Sequence, residues 1–229
     1  FLTETTEPSG RRETKMTNVA KGLLAVLKAM DRGFIKPEEG LRRIRTMVTT
    51  LETLPRHKGL LPEYVTLGRT AAARVQDGRI RYSTLDSGWM HVALYLARER
   101  VAALAATDAS LAAAAKEIVG TSDGLIKEAN YRALAPQGLL GGGVWADEKT
   151  NTQTSSLGFN YGGAASEAAV VVLGLIGMGK LDAGAYQGMT VGTTTFNGVT
   201  LLDDTYNEGG VRVGARHRRA ERGRERMGA

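Results

Sequence analysis

Residues 37–55 read PEEGLRRIRTMVTTLETLP. Pro37 suits the first position of a helix, where its missing N–H costs nothing and its fixed φ is already helical. Glu38 and Glu39 follow in the first turn, where carboxylates complement the unpaired N–H groups. Leu41, Ile44, Met47, Val48, Leu51 and Leu54 recur three and four residues apart, which lines one face of a 3.6-residue helix. Pro55 stops it. Just upstream, Val19, Leu23, Val26, Leu27 and Met30 form a similar stripe over residues 14–31, and Gly33 stands where a C-terminal cap is expected.

Downstream the same reading gives more helices separated by long irregular stretches. Residues 56–83 hold one proline, Pro62, scattered glycines and two β-leaning pieces, Tyr64–Leu67 and Arg79–Tyr82. Connections of that length are usually functional or disordered. A third helix is expected from Ser83 or Thr84 to about Val101, a fourth over 108–119, and a short one over 123–134. A glycine-rich β-like stretch, 138–163, comes next. The segment 165–176 is nearly all apolar, so its helix is expected to be buried all round. Thr193–Leu202 reads as a hairpin about Asn197-Gly198. Periodicity by itself therefore supports a mainly α fold with short β-hairpins in the loops.

Composition narrows the chemistry. The chain has 229 residues, no cysteine and three histidines, His57, His91 and His217. Thiolate sites and disulfides are excluded, and a multi-histidine metal centre is not expected. The formal charge is +6. Residues 211–229 carry seven arginines against two glutamates, or +5, so the other 210 residues carry about +1. A basic tail is not a basic groove, and a near-neutral body gives little reason to bind nucleic acid. No apolar run approaches the roughly 20 residues of a membrane span; 164–179 is interrupted by Glu167 and several glycines. Gly141-Gly142-Gly143 lacks the following Lys-Ser/Thr of a phosphate loop.

Three stretches say more. MTNVAKGLLAVLKAMDRGFI (16–35) is followed by a helix ending in TLETLPRHKGLLPEY (50–64). YSTLDSGWMHVALYLAR spans 82–98, and GFNYGGAASEAAVVVLGLIGMG spans 158–179. In this order they resemble the glucoamylase-like domain of cyclic β-1,2-glucan synthases and related stand-alone bacterial proteins. There the pieces run roughly T-N-x-G…A…D-x-G-F/W-I, S-T-V-D-S-G-N and Y…L-A-S-E-A. The similarity covers about residues 14–210. It implies an (α/α)6 toroid, here incomplete, acting on β-1,2-glucan by carboxylate-mediated hydrolysis or transglycosylation. It implies an oligo- or polysaccharide partner and no metal or organic cofactor. It also implies a bacterial setting, in the envelope, the periplasm or at the cytoplasmic face of the membrane.

Glycoside cleavage needs one carboxylic acid to protonate the leaving oxygen and a second carboxylate to attack or to activate water. Asp86, at the start of the third helix, and Glu167, at the start of the apolar one, are the expected catalytic pair. Burial among apolar neighbours would suit Glu167 to general-acid work. Each also suits a plain first-turn role. Glu63, Tyr64, Trp89, Trp145 and Tyr161 are the substrate-binding candidates, because sugar C–H faces stack on aromatic rings. Glu63 stands where relatives often carry asparagine, and is equally read as a solvated loop acid. Trp89 replaces the asparagine of D-S-G-N and falls at a core spacing; Trp145, in a glycine-rich loop, is the better platform. His91 reads as a satisfied helix histidine.

The expected organisation is a flexible segment at 1–12, a partial toroid at 13–210 and a basic tail at 211–229. Relatives continue past a G-G pair with a stretch like S/T-M-F-E-x-L-M-P, whereas Asn207-Glu208-Gly209-Gly210 here leads into an arginine-biased sequence without apolar periodicity. Such a composition resembles out-of-frame translation of GC-rich DNA, and the chain is expected to be a fragment. A non-catalytic glycan-binding or scaffolding module on the same ring is the alternative function.

Overall fold

The computed structural model describes residues 5–6, 12–135, 138–203, 207–208 and 211–212. The basic tail beyond residue 212, with its expected frame change, lies outside the described residues. The chain divides into two compact units, Phe1–Asn130 with Gly143–Ser156, and Tyr131–Gly142 with Leu157–Ala229. About half of the described chain is helical and the rest includes several small sheets.

The first unit contains four long helices: α1 (Met16–Asp31), α2 (Pro37–Glu52), α3 (Thr84–Thr107) and α4 (Ala112–Glu128). α2 begins at Pro37 as its sequence dictates, with Gly40, Leu41, Ile44, Val48 and Leu51 buried. On its outer face Arg42 and Arg43 hold the Glu39 carboxyl down at about 2. α1 ends in a Schellman cap: the Gly33 N–H donates to the Met30 carbonyl and the Phe34 N–H to that of Ala29, at 3.0 and 2.9 Å. Gly33, at φ 70°, takes the left-handed conformation this cap needs. α1 packs on α3, α3 on α4 and α2 on α4, and their inner faces form a core that includes Leu23, Ile44, Met90, Leu94, Val101 and Ile118.

α4 absorbs two expected helices. The break expected between 119 and 123 is absent, because Ile118, Ser122, Leu125 and Ile126 continue one buried stripe through it. A single 3-10 turn at Arg132–Leu134 follows.

The long connection at 56–83 is built of strands. One antiparallel sheet runs β1 (Thr5–Thr6), β2 (Arg12–Lys15), β3 (Tyr64–Leu67), β4 (Ala71–Ala73). A second runs β5 (Val75–Gln76), β6 (Arg79–Ser83), β8 (Gly143–Asp147), β9 (Gln153–Ser156). Two strands pass into helices without an intervening residue: β2 into α1 at Met16, and β6 into α3 at Thr84. The first helix therefore starts two residues later than its apolar stripe suggests, because Thr14 and Lys15 belong to a ladder with Val65 and Tyr64.

The second unit holds a two-stranded pair, β7 (Leu140–Gly141) with β10 (Asn160–Tyr161), then α5 (Glu167–Gly177), the short α6 (Gly184–Gln187) and the hairpin β11 (Gly192–Phe196) with β12 (Val199–Asp203). Residues Asn207–Glu208 and Val211–Arg212 pair as a last small ladder, β13 with β14. Asn197 and Gly198 turn the hairpin at φ 49° and 77°, as a two-residue type I′ loop requires. α5 departs from expectation. Val171, Val172 and Leu175 are buried, but Val170 and Leu173 are 51% and 49% exposed. A uniformly apolar helix carries no stripe, so its periodicity could not tell the covered side from the open one.

Ser166 caps α5, accepting from the Ala168 N–H at 3.1 Å while its hydroxyl donates to the Gly163 carbonyl at 2.7 Å. Ser166→Ala removes both bonds and is expected to cost about 1–2 kcal/mol. Urea denaturation of the chain checks this; a change below a few tenths would show that the cap is dispensable.

Candidate functional site

Local sequence sets the geometry at the N-terminal ends of α1 and α3. Ser83 caps α3, its Oγ accepting from the Asp86 N–H at 3.2 Å. That frees the Asp86 side chain from capping. Its Oδ1 instead accepts a hydrogen bond from the Thr17 hydroxyl at 2.5 Å, across to the first turn of α1. One residue on, the Leu61 N–H donates to Ser87 Oγ, which in turn donates to the Leu61 carbonyl, both at 3.0 Å. The segments MTN and STLDSG are thus joined side chain to side chain, Thr17 to Asp86 across 69 residues of chain. Asp86 is 8% exposed.

The loop fixed by Ser87 delivers Glu63. The Met16 N–H donates to the Glu63 carbonyl at 2.8 Å, and the Glu63 N–H to that of Arg81 at 2.9 Å. Glu63 is not a solvated loop acid. It is 5% exposed and its carboxylate lies 2.6 Å from Arg81 Nε, since a carboxylate is buried only with a partner. A second buried carboxylate, Glu13 on β2, meets Arg74 Nη1 at 3.2 Å.

Strand alternation then collects the side chains. Arg81 lies opposite Trp145, and Arg79 opposite both Asp147 and Gln76, so these residues share one face, while Ile80, Tyr82, Val144 and Ala146 turn to the buried one. In the other sheet Lys15 pairs with Tyr64 and Glu13 with Thr66. The two polar faces border a recess of about 160 Å³ lined by Tyr64, Arg74, Gln76, Arg81 and Trp145. Lys15 Nζ and the Arg74 guanidinium each lie 5.3 Å from the Tyr64 ring centroid, and that of Arg79 5.2 Å from Trp145's. Burial pushes the Tyr82 phenol beneath up to about 12, so it stays neutral in the core.

Of the expected site residues, Asp86, Glu63, Tyr64 and Trp145 belong to this unit. Trp89 is there too, half-buried, with Lys21 Nζ 5.9 Å from its ring centroid. His91 is buried in α3. Glu167 and Tyr161 belong to the second unit. Glu167 is exposed at the first position of α5, so the burial expected around it is absent. Tyr161 is buried, with Phe159 edge-on at 5.2 Å. Sequence reasoning missed Thr17, Glu13, Arg74, Gln76 and Arg81. For Arg79 and Arg81 a signal existed: RIRYS alternates polar and apolar.

Among the described residues no cluster of three or more His, Asp or Glu could hold a metal ion, and no helix is long and apolar enough to cross a membrane. The recess offers aromatic faces and hydrogen-bond donors above buried carboxylates. Asp86 stands at the adjoining helix ends.

Known structures share this fold. An endo-β-1,2-glucanase of Chitinophaga pinensis, solved with sophorotriose and glucose, superposes with a TM-score of 0.60 at 18% identity, over 87% of this chain and 46% of its own. A glucoamylase-like protein of Bacteroides uniformis gives 0.63 at 14% identity, over 87% and 48%. An endo-β-1,2-glucanase of Talaromyces funiculosus in complex with β-1,2-glucan gives 0.54 at 15%, over 83% and 44%. The chain thus spans a little under half the length of these proteins. No curated protein matches its sequence. The sequence pattern described as "protein of unknown function (DUF3131)" matches residues 5–128, more than half of the chain and every element from β1 to α4. This chain belongs to the DUF3131 family.

Proposed function

We propose that the chain is part of a carbohydrate-active domain, an incomplete (α/α)6 toroid acting on β-1,2-glucan by carboxylate-mediated hydrolysis or transglycosylation. One observation carries the reading. Two aromatic candidates, Tyr64 and Trp145, line one recess with Arg74, Gln76 and Arg81, on a fold shared with enzymes whose names specify β-1,2-glucan. Aromatic faces take the C–H side of a sugar, and the polar side chains take its hydroxyls.

In this reading Asp86 and Glu167 are the catalytic carboxylates, and Glu63 is a positioning residue that holds Arg81. Asp86 has what a reacting carboxylate needs locally: a fixed orientation from Thr17 and no capping duty. Glu167 supplies the second group from the start of α5.

The test is release of reducing ends from β-1,2-glucan by this chain. Glu167→Gln, which keeps size and removes the acid, is expected to lower the rate by about 10²–10⁴-fold, the usual share of a general acid or base. An unchanged rate would remove Glu167 from the mechanism. Glucan binding without turnover would favour the second reading, a glycan-binding module. That reading draws on the exposed setting of Glu167 and on the departures from the family pattern at Glu63 and Trp89.

A further inference from the structure

The chemistry of the recess is one-sided. Its lining supplies two guanidinium groups, an indole N–H, a primary amide and a phenol. Guanidinium and indole only donate, and no carboxylate is among the lining residues. The carboxylates lie behind it: Glu63 meets Arg81 at Nε and Glu13 meets Arg74 at Nη1. A guanidinium carries five N–H donors in a fixed fork, so one carboxylate engages part of it and sets the direction of the rest. Cations also lie over both rings, Lys15 and Arg74 over Tyr64 and Arg79 over Trp145. The acid nearest in register, Asp147 opposite Arg79, is engaged by its own turn, accepting from the N–H groups of Lys149 and Thr150 and from the Thr150 hydroxyl.

A neutral sugar uses only part of what such a wall offers. Its hydroxyls donate as well as accept, and a lining dominated by donors leaves the sugar's own donors unmatched, which is costly once water is excluded. An anionic substituent only accepts, and charge-assisted bonds to arginine are about twice as strong as neutral ones.

We propose that the Tyr64–Arg74–Gln76–Arg81–Trp145 recess is a subsite for a sugar bearing an anionic group, a carboxylate or a phosphate ester. This rests on the recess being a glycan site, and it adds that the glycan recognised there is acidic.

Calorimetric titration of the chain with methyl β-glucoside, methyl β-glucuronide and glucose 6-phosphate tests it. At low salt an acidic probe is expected to bind at least about tenfold more tightly than the neutral one, given charge-assisted pairing. The advantage should fade towards about 1 M salt, where the screening length falls to about 3 Å. The two acidic probes separate carboxylate from phosphate recognition. Gln76→Glu places a carboxylate in the recess from an exposed strand-edge position without touching either buried ion pair. It should bring the acidic probes down to or below the glucoside, with circular dichroism confirming the fold. Equal binding of neutral and acidic probes would overturn the proposal while leaving the glycan reading standing. Absence of binding by all three would overturn both. Preference that persists in Gln76→Glu would place the anion elsewhere and likewise overturn it.

Discussion

Asp86→Asn is expected to lower the release of reducing ends from β-1,2-glucan by about 10²–10⁴-fold, the range contributed by a positioned acid or base, while leaving the chain folded. The two halves of this expectation have separate causes. Asparagine matches aspartate in size and keeps an oxygen that can accept from Thr17 Oγ1, now 2.5 Å away. The helix cap belongs to Ser83 and is untouched. Loss of the charge-assisted component should therefore cost only about 1 kcal/mol. The chemistry has no such substitute, because an amide neither protonates a leaving oxygen nor activates water. Initial rates and a thermal melt on the same sample decide the matter. More than a tenth of the activity in a folded variant would exclude Asp86 as a reacting group. A fall in melting temperature parallel to the fall in rate would make it structural.

A large stability effect is expected at Gly59. His57 and Leu60 exchange two backbone hydrogen bonds, at 3.1 and 2.9 Å, about a turn in which Lys58 and Gly59 take φ 52° and 77°. The turn lies against the end of α4, where the Asn130 N–H donates to the Lys58 carbonyl at 3.2 Å. A Cβ on Gly59 would come within 2.3 Å of the carbonyl carbon and oxygen of Glu128 and 2.4 Å of the Ala129 nitrogen. Backbone cannot rotate away as a side chain can. Gly59→Ala should thus cost about 1–2 kcal/mol for the left-handed conformation and about 1–3 more for the displacement. For a chain of this size that is a fall of roughly 4–20 °C in melting temperature. Gly78→Ala is the control: Gly78 also has a positive φ, 70°, but nothing lies within 4 Å of its would-be Cβ. It should lose the first part alone. Equal losses in the two variants would show that the Glu128 contact is not felt.

What was legible in the sequence was whatever repeats within a few residues. α2, the glycine after α1 and the Asn197-Gly198 hairpin were all readable from their own segments. Where a break was expected, the longer-range stripe won, as between 119 and 123, where α4 runs straight through. The site was harder for a different reason. Tyr64–Leu67 and Arg79–Tyr82 were legible as β-leaning, but such short strands do not name their partners, which are remote. Arg81 acquires its role by lying opposite Trp145, and Glu13 by meeting Arg74. Glu63 looked solvated because nothing nearby in sequence suggests that Arg81 covers it. Asp86 and the aromatic candidates were found through the family resemblance; the arginines needed the register.

The direct joining of β2 to α1 and of β6 to α3 limits how such a protein could change. One residue inserted at either joint would turn the helix beyond it by about 100° and carry Thr17 or Asp86 out of reach of the other. One residue inserted within β6 would exchange its wet and dry sides, sending Arg81 inward and Tyr82 out. At the Asp77-Gly78 bend between β5 and β6 an added Cβ on Gly78 would meet nothing within 4 Å, so changes there are better tolerated. New ligand preferences at this recess are therefore reachable by swapping side chains on a rigid frame, whereas changes of chain length are confined to its rim.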